Sequence, residues 1–227
     1  MKPGTSGSVR IARTVPWLTL APRGRPPRRG WPAVVALHGY GRDEAGFVVL
    51  LRRRFGKVPW VWILPRGPWR VHPERGRAGF AWLVSAHGTP DLEGMEGTER
   101  LVRAALTGTA GVDRKRAALL GFSQGGFAAG VAALRRPRSW RGAAVLSAYV
   151  NPALVPGGLG RARGARLAFF HGRQDREVPL ARARDSARAL RDAGLPAEIR
   201  SFAGGHALTE PMARSAAAWL GAVLHSP

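Results

Sequence analysis

The sequence lacks cysteine altogether, which excludes a disulfide framework, a zinc-thiolate site and a cysteine nucleophile. It also lacks long hydrophobic runs: no stretch approaches the roughly 18 apolar residues that a membrane-spanning helix needs. Residues 1–8 contain no continuous apolar segment of the kind found in a secretion signal. We therefore expect a soluble, cytoplasmic protein without a transmembrane segment, whose residues 1–8 form a flexible amino terminus.

Acidic residues are scarce as well, since 14 Asp and Glu stand against 36 Lys and Arg, for a formal net charge of +22. Such a charge is compatible with a nucleic acid or an anionic membrane surface as partner. The arginines are scattered, however, in a chain rich in Ala, Gly and Pro, a bias typical of a GC-rich coding sequence. The arginine-rich segments are residues 23–29, 52–54, 135–141, 161–166 and 182–191. We expect no specific nucleic-acid partner and only weak binding to anionic surfaces at low salt.

Alternating strand and helix patterns fill most of the chain, which at 227 residues and 45% hydrophobic composition can form one domain over residues 1–227. Strands are predicted at 15–20, 33–37, 58–64, 117–120, 142–150, 167–170 and 197–202, and helices at 47–53, 92–106, 127–134, 179–193 and 209–224. This alternation predicts an α/β fold with a mostly parallel central sheet and helices on both faces. No insertion is long enough to form a large separate lid.

Residues 69–91 fit neither pattern. They hold aromatic residues among glycines and prolines, which is typical of a long functional loop. His72 and His87 in this segment, and His225 at the carboxyl end, show no ligand-like spacing with carboxylates. We therefore expect no metal site.

A glycine-flanked serine interrupts the strand-to-helix transition near the middle of the chain. Residues 121–125 read Gly-Phe-Ser-Gln-Gly and fit the pattern G-x-S-x-G, in which a serine sits on a sharp turn above a sheet. The flanking positions must be nearly free of side chains because the turn brings backbone segments close together. Ser123 is therefore the candidate nucleophile, although glycines and a serine also occur together in ordinary turns.

A serine hydroxyl is a weak nucleophile near neutral pH, so it needs a base, and the base needs an orienting acid. His206 follows the predicted strand 197–202 in a glycine-rich loop, and Asp175 follows the strand 167–170. The order Ser123, Asp175, His206 is that of an α/β-hydrolase triad. Taken singly, Asp175 could instead be a solvated acid or a helix cap, and His206 a turn residue. Glu177 is the nearest substitute for the acid.

The negative charge of a tetrahedral intermediate needs main-chain N–H donors placed in advance. Gln124, the residue after the serine, begins a helix and supplies one candidate donor. Tyr40, in the loop after the strand 33–37, supplies the other. This loop is not a dinucleotide-binding turn, since Glu44 stands where the pattern G-x-G-x-x-G requires glycine. His38 and His171 precede glycines at strand ends and are interpreted as hydrogen-bonded loop organisers.

Four segments carry a family resemblance: LHGYGRDE (37–44), LLGFSQGG (119–126), FFHGRQDREVP (169–179) and GGHAL (204–208). Together they resemble the phospholipase/carboxylesterase family of α/β-hydrolases, from about Val34 to the carboxyl end. The resemblance implies an α/β-hydrolase fold and the triad and oxyanion-hole roles given above. It also implies an aromatic side chain beside the acyl pocket near Trp82, a residue that can equally be ordinary core.

The sequence thus predicts a serine carboxylesterase that needs no cofactor and acts on small or medium esters, with Trp69, Phe80 and Trp82 as candidate substrate-binding residues. The triad attacks any suitably held acyl carbon, so thioesterase, lysophospholipase, lactonase and peptidase activities remain alternatives. A basic polyanion-binding protein on a hydrolase scaffold is a further alternative. The partner would be a small-molecule ester or thioester, and the protein a monomer or homodimer.

Overall fold

A computed structural model describes residues 14–72, 78–84 and 92–226. The predicted flexible terminus at residues 1–8 lies outside the described residues, as do parts of the predicted loop 69–91. The described strands are β1 (Trp17–Leu20), β2 (Trp31–Leu37), β3 (Val61–Pro65), β4 (Trp69–Val71), β5 (Gly79–Ala81), β6 (Val112–Phe122), β7 (Ala143–Leu146), β8 (Leu167–Gly172) and β9 (Ala197–Phe202). The described α-helices are α1 (Glu44–Phe55), α2 (Leu92–Gly108), α3 (Gln124–Arg135), α4 (Leu180–Asp192) and α5 (Glu210–His225).

Seven of these strands form one sheet in the order β1-β3-β2-β6-β7-β8-β9. Only the edge strand β1 runs antiparallel to its neighbour, and every other pairing in this sheet is parallel. The predicted α/β class and the mostly parallel sheet are confirmed. The described residues contain no separate lid domain.

Both faces of the sheet are buried, which explains why its central strands read as continuous apolar runs. Along β2, Ala33, Val35 and Leu37 pack on the side of α2, α3 and α4. Val34 and Ala36 point to the opposite side, where α1 and α5 lie. Alternate residues of one strand thus belong to two separate cores, and the sheet is held between them.

Several segments differ from the sequence-based prediction, among them the strand predicted at 142–150, which ends at Leu146. The described parts of 69–91 contain a two-stranded antiparallel hairpin, β4 with β5, where only a loop was expected. Strand β6 begins at Val112, before the predicted start, because Val112 pairs with Trp31 of β2 although the residues that follow it are polar. Residues 151–166, where no helix was predicted, contain two short 3-10 helices, Pro152–Leu154 and Leu159–Ala162.

Parallel strands direct their carboxyl ends to one edge of the sheet, and the loops after β2, β6, β8 and β9 all start there. These four loops carry the residues singled out by the sequence patterns. The topology therefore gathers segments that are far apart in the chain at one end of the molecule.

The glycines around Ser123 are needed for close backbone approach. A Cβ atom on Gly121 would lie 2.0 Å from the carbonyl oxygen of Gly125, and a Cβ on Gly125 would lie 2.2 Å from that of Leu37. Both contacts are with backbone, which cannot move aside as a flexible side chain can. The turn between β6 and α3 thus packs directly onto the end of β2.

Replacing Gly125 with alanine is therefore expected to lower the free energy of unfolding by about 3 kcal/mol or more, because the added methyl overpacks the backbone of β2. Urea unfolding measures the change. Gly221→Ala is the matched control, since Gly221 lies inside α5 with nothing within 4 Å of an added Cβ. That control should gain up to about 1 kcal/mol from helix propensity. Equal stability of Gly125→Ala and wild type would contradict the close packing of the serine turn against the backbone of β2.

Candidate active site

Ser123 occupies the turn between β6 and α3 in a strained conformation, with φ 55° and ψ −124°. A positive φ is uncommon for a residue that carries a Cβ and costs of the order of 1–3 kcal/mol. The turn is held by a hydrogen bond from the Ser123 N–H to the carbonyl of Leu146, at 2.9 Å. The half-buried serine thus stands at the carboxyl end of β6 and at the start of α3.

Asp175 and His206, from the loops after β8 and β9, are directly hydrogen-bonded. Asp175 Oδ2 lies 2.8 Å from His206 Nδ1. Because a carboxylate only accepts, Nδ1 carries the proton and Nε2 of the neutral ring is left as an acceptor. The other carboxylate oxygen, Oδ1, accepts from the main-chain N–H groups of Glu177 (3.1 Å) and Val178 (2.9 Å). The carboxylate, with its side chain fully buried, is fixed in one orientation.

The buried His171 lies next to the same carboxylate. His171 Nε2 lies 2.7 Å from the carbonyl oxygen of Val178 and 3.3 Å from Asp175 Oδ2. Since the carbonyl oxygen only accepts, Nε2 is the protonated nitrogen of this ring. Its placement fits the predicted role of loop organiser.

His206 lies beside the serine turn. Its ring centroid is 5.0 Å from that of Phe122, the residue before Ser123. Among the described residues the Ser123 hydroxyl makes no hydrogen bond, and His206 Nε2 lies 3.6 Å from Glu177 Oε2. The side chain of Glu177 is 74% exposed, in contrast to the buried Asp175. The structure thus places His206 beside the residue that precedes Ser123 and joins it to Asp175 by a hydrogen bond.

The loop after β2 passes close to Ser123. A Cβ atom on Gly39 would lie 3.5 Å from Ser123 Cβ, and the next residue, Tyr40, is half exposed. Strand β5 is hydrogen-bonded to this loop. The Gly41 N–H donates to the Phe80 carbonyl, and the Phe80 N–H donates to the Arg42 carbonyl, both at 2.9 Å. The hairpin that the sequence did not predict is therefore a support for the loop that carries Tyr40.

His38 fixes the start of the same loop. Its Nε2 accepts a hydrogen bond from Gly67 N–H at 3.0 Å, so Nδ1 carries the proton and donates to the Gly39 carbonyl at 2.8 Å. Burial lowers the pKa of His38, and the ring stays neutral near pH 7. A neutral ring with both nitrogens engaged fits the predicted structural role.

The side chain of Gln124 clamps a segment that lies 41 residues earlier in the sequence. Its Oε1 accepts from Trp82 N–H at 2.9 Å, and its Nε2 donates to the Leu83 carbonyl at 2.8 Å. The indole N–H of Trp82 in turn donates to the His38 carbonyl at 2.7 Å. Through these bonds the serine turn, residues 82–83 and the Tyr40 loop form one connected unit.

A cleft of about 680 Å³ opens beside His206, a size typical of small-molecule sites. We call it the His206 cleft; its walls are the loop 39–43, the side of α1 that includes Arg54, Phe122, Ala78 and the loop 206–208. A ligand in the cleft would therefore contact both the Tyr40 loop and the histidine.

The phospholipase/carboxylesterase family model matches residues 25–224, nearly the whole chain. The chain belongs to this family. The match confirms the resemblance that the four sequence segments indicated, and it makes the protein a hydrolase of the carboxylesterase and acyl-protein thioesterase type. A search among proteins of curated function finds no significant match.

Solved structures similar to this family member share its fold. An esterase, PE8, has a TM-score of 0.71 at 23% identity, covering 93% of this chain and 100% of its own. An acyl-protein thioesterase 2 from Zea mays has a TM-score of 0.71 at 22% identity, with coverages of 92% and 99%. A carboxylesterase from Mesorhizobium loti has a TM-score of 0.72 at 24% identity, with coverages of 91% and 94%.

The three aromatic residues predicted to bind substrate differ in exposure. Trp69 is 42% exposed, whereas Phe80 is partly buried and its ring lies under the guanidinium of Arg66, 4.6 Å from the ring centroid. Arg66 is held by both carboxylate oxygens of buried Glu44, at 2.5 and 2.8 Å. Trp82 is fully buried, which fits the alternative that it is a core residue. A substrate-binding role for Trp69 and Phe80 stays a prediction.

Within residues 14–72, 78–84 and 92–226, no group of three or more His, Asp or Glu side chains is arranged to hold a metal ion. In the same part of the chain no helix has the length and apolar character required to cross a bilayer.

Proposed function

We propose that this family member is a serine carboxylesterase that cleaves small to medium carboxylic esters through an acyl-enzyme on Ser123, without a cofactor. The observation that carries the proposal is the 2.8 Å Asp175–His206 hydrogen bond beside a serine held at positive φ. Membership of a carboxylesterase family agrees with this chemistry.

In the first step, Ser123 Oγ attacks the acyl carbon while His206 Nε2 takes the hydroxyl proton. Asp175 keeps Nδ1–H pointing at itself and stabilises the imidazolium that forms. The Ser123 hydroxyl makes no hydrogen bond among the described residues, and such catalytic contacts commonly tighten only when substrate is bound. The serine is partly exposed and is accessible for this attack.

The oxygen of the tetrahedral intermediate would be stabilised by the main-chain N–H groups of Tyr40 and Gln124. Gln124 is the first residue of α3, where N–H groups have no intrahelical acceptor and the helix dipole favours negative charge. Removing one donor of this kind lowers kcat by about 10²–10³-fold. His206 then gives its proton to the departing oxygen, and water activated by His206 hydrolyses the acyl-enzyme.

The same groups would serve a thioester or a lysophospholipid, because the acyl carbon reacts in the same way. The similar protein from Zea mays is an acyl-protein thioesterase, which keeps thioesterase activity as the second candidate.

The alternative of a basic polyanion-binding protein on a hydrolase scaffold predicts salt-sensitive polyanion binding that survives Ser123→Ala. The cytoplasmic location and the monomer or homodimer state stay predictions.

Kinetics on p-nitrophenyl esters from acetyl to dodecanoyl test the proposal, with thioesters and lysophospholipids of matched acyl length in parallel. We expect turnover with the highest kcat/KM on short and medium acyl esters. A tenfold preference for thioesters would establish the second candidate instead. Absence of turnover on every substrate would contradict both.

A further inference from the structure

The His206 cleft lies on the leaving-group side of the proposed reaction. When the acyl-enzyme forms, the bond between the acyl carbon and the alcohol oxygen breaks, and that oxygen receives the proton of His206 Nε2. The alcohol part of the substrate must therefore lie against His206. Because His206 is itself a wall of the cleft, the alcohol part has this space to enter. The inference that follows rests on the proposed function.

Arg54 is an unusual residue in the wall of this cleft. It is half-buried, its Nε is shielded from solvent without a hydrogen-bond partner, and it forms no ion pair with the described residues. By contrast, Arg66 is paired with Glu44 and Arg135 with Glu99. The Nε of partly buried Arg116 donates to the carbonyl oxygen of Leu224. A partly desolvated guanidinium without a counter-ion carries a free-energy cost, and a bound anion would offset that cost.

The remaining charges around the cleft also favour an anion. Arg42 lies at its exposed side and has no ion pair with the described part of the chain. The carboxylate of Asp43 is the only acid among the described lining residues, and its Oδ1 already accepts from Gly46 N–H at 2.7 Å to cap α1. Glu177, 3.6 Å from His206 Nε2, is not part of the lining. The cleft thus carries two arginines against one engaged carboxylate.

We propose that the His206 cleft is the leaving-group subsite and that Arg54, assisted by Arg42, selects substrates whose alcohol part carries an oxyanion, either a carboxylate or a phosphate-type group. Arg54 holds this group away from the bond that breaks. It therefore binds the ground state and the transition state alike, and its contribution falls on KM and not on kcat.

Acetyl esters with matched leaving groups test this subsite: 4-hydroxybenzamide is neutral, 4-hydroxybenzoate carries a carboxylate, and 4-hydroxyphenylphosphonate carries a phosphate-type group. The measured quantity is the ratio of kcat/KM for each anionic ester to that for the neutral ester. Comparing this ratio between variants cancels the intrinsic reactivities of the esters. We expect Arg54→Gln to lower the ratio about tenfold, through KM, because a charge-assisted contact is lost.

Arg53→Gln is the matched control. Arg53 is exposed, is not part of the cleft wall and lies in the same last turn of α1, so both variants lose the same net charge and a similar interaction with the helix dipole. Arg53→Gln should keep the wild-type ratio. Arg54→Lys, which retains the positive charge, should have a ratio between those of Arg54→Gln and wild type. Arg42→Gln, at an exposed position, should shift the ratio in the same direction if Arg54→Gln does not fold.

Direct binding gives a readout that does not depend on turnover. Ligand-observed NMR should show 4-hydroxybenzoate or 4-hydroxyphenylphosphonate binding to wild type and Arg53→Gln more tightly than to Arg54→Gln, with 4-hydroxybenzamide insensitive to either change. An effect for only one of the two anions would identify which group the subsite takes. Equal ratios in Arg54→Gln and Arg53→Gln, together with equal anion binding, would overturn the subsite even if esters are hydrolysed. Loss of all turnover with anion selectivity intact would instead contradict the proposed function alone.

Discussion

Ser123→Ala is expected to lower kcat/KM on p-nitrophenyl esters by at least about 10⁴-fold, since the variant has no nucleophile to accept the acyl group. The fold should be unaffected, because alanine keeps the Cβ and the backbone hydrogen bond to Leu146 does not involve the hydroxyl. Initial rates and urea unfolding of the purified variant measure the two quantities.

Ser147→Ala provides a matched control within the same chain. Ser147 and Ser123 are the two non-glycine residues with positive φ among the described residues, and the buried Ser147 hydroxyl has no hydrogen-bond partner. Removing that hydroxyl should leave turnover near the wild-type value and should not lower stability. Comparable losses of turnover in both serine variants would point to a structural effect at strained turns and against a nucleophile.

Asp175→Asn is expected to lower kcat by about 10³–10⁴-fold. The asparagine oxygen can keep accepting from the N–H groups of Glu177 and Val178, so its amide nitrogen would face His206. That nitrogen donates and cannot accept from Nδ1–H, and the imidazole would lose the tautomer and orientation that the reaction needs. Steady-state rates over a range of pH measure the loss.

Glu177→Gln is the corresponding control, because Glu177 is the other carboxylate near His206 among the described residues, 3.6 Å from Nε2. Its exposed side chain is screened by water, and the change should alter kcat by only a few-fold. A nearly active Asp175→Asn together with an inactive Glu177→Gln would show that Glu177 is the orienting acid.

Much of the fold was predictable because burial leaves a direct trace in the sequence. The strand at 33–37 is apolar throughout since its residues fill two cores, one on each face of the sheet. The extended start of β6 was missed because residues 113–116 are polar, and within 112–116 only Val112 pairs with β2. The β4–β5 hairpin was missed since its strands have three residues each, too few to show a period.

The candidate site also contains residues that the sequence indicated and contacts that it did not. Ser123, Asp175 and His206 follow strands and stand in a diagnostic order, so local patterns point to them. The clamp from Gln124 to residues 82–83 and the bracing of the Tyr40 loop by Phe80 join distant segments, and no local pattern reports such contacts. Arg54 was indistinguishable from its neighbours in an arginine-rich helix until burial separated it from the exposed Arg52 and Arg53.

The central claim is that Ser123 is the nucleophile of an acyl-transfer site, and labelling with a fluorophosphonate probe followed by peptide mass spectrometry tests it most directly. The reagent phosphonylates a serine only where a base activates the hydroxyl and the oxyanion is stabilised. We expect one label per chain, on Ser123, in wild type and in Ser147→Ala, and no label in Ser123→Ala. Folded wild-type protein that stays unlabelled, or a label that persists in Ser123→Ala, would contradict the assignment.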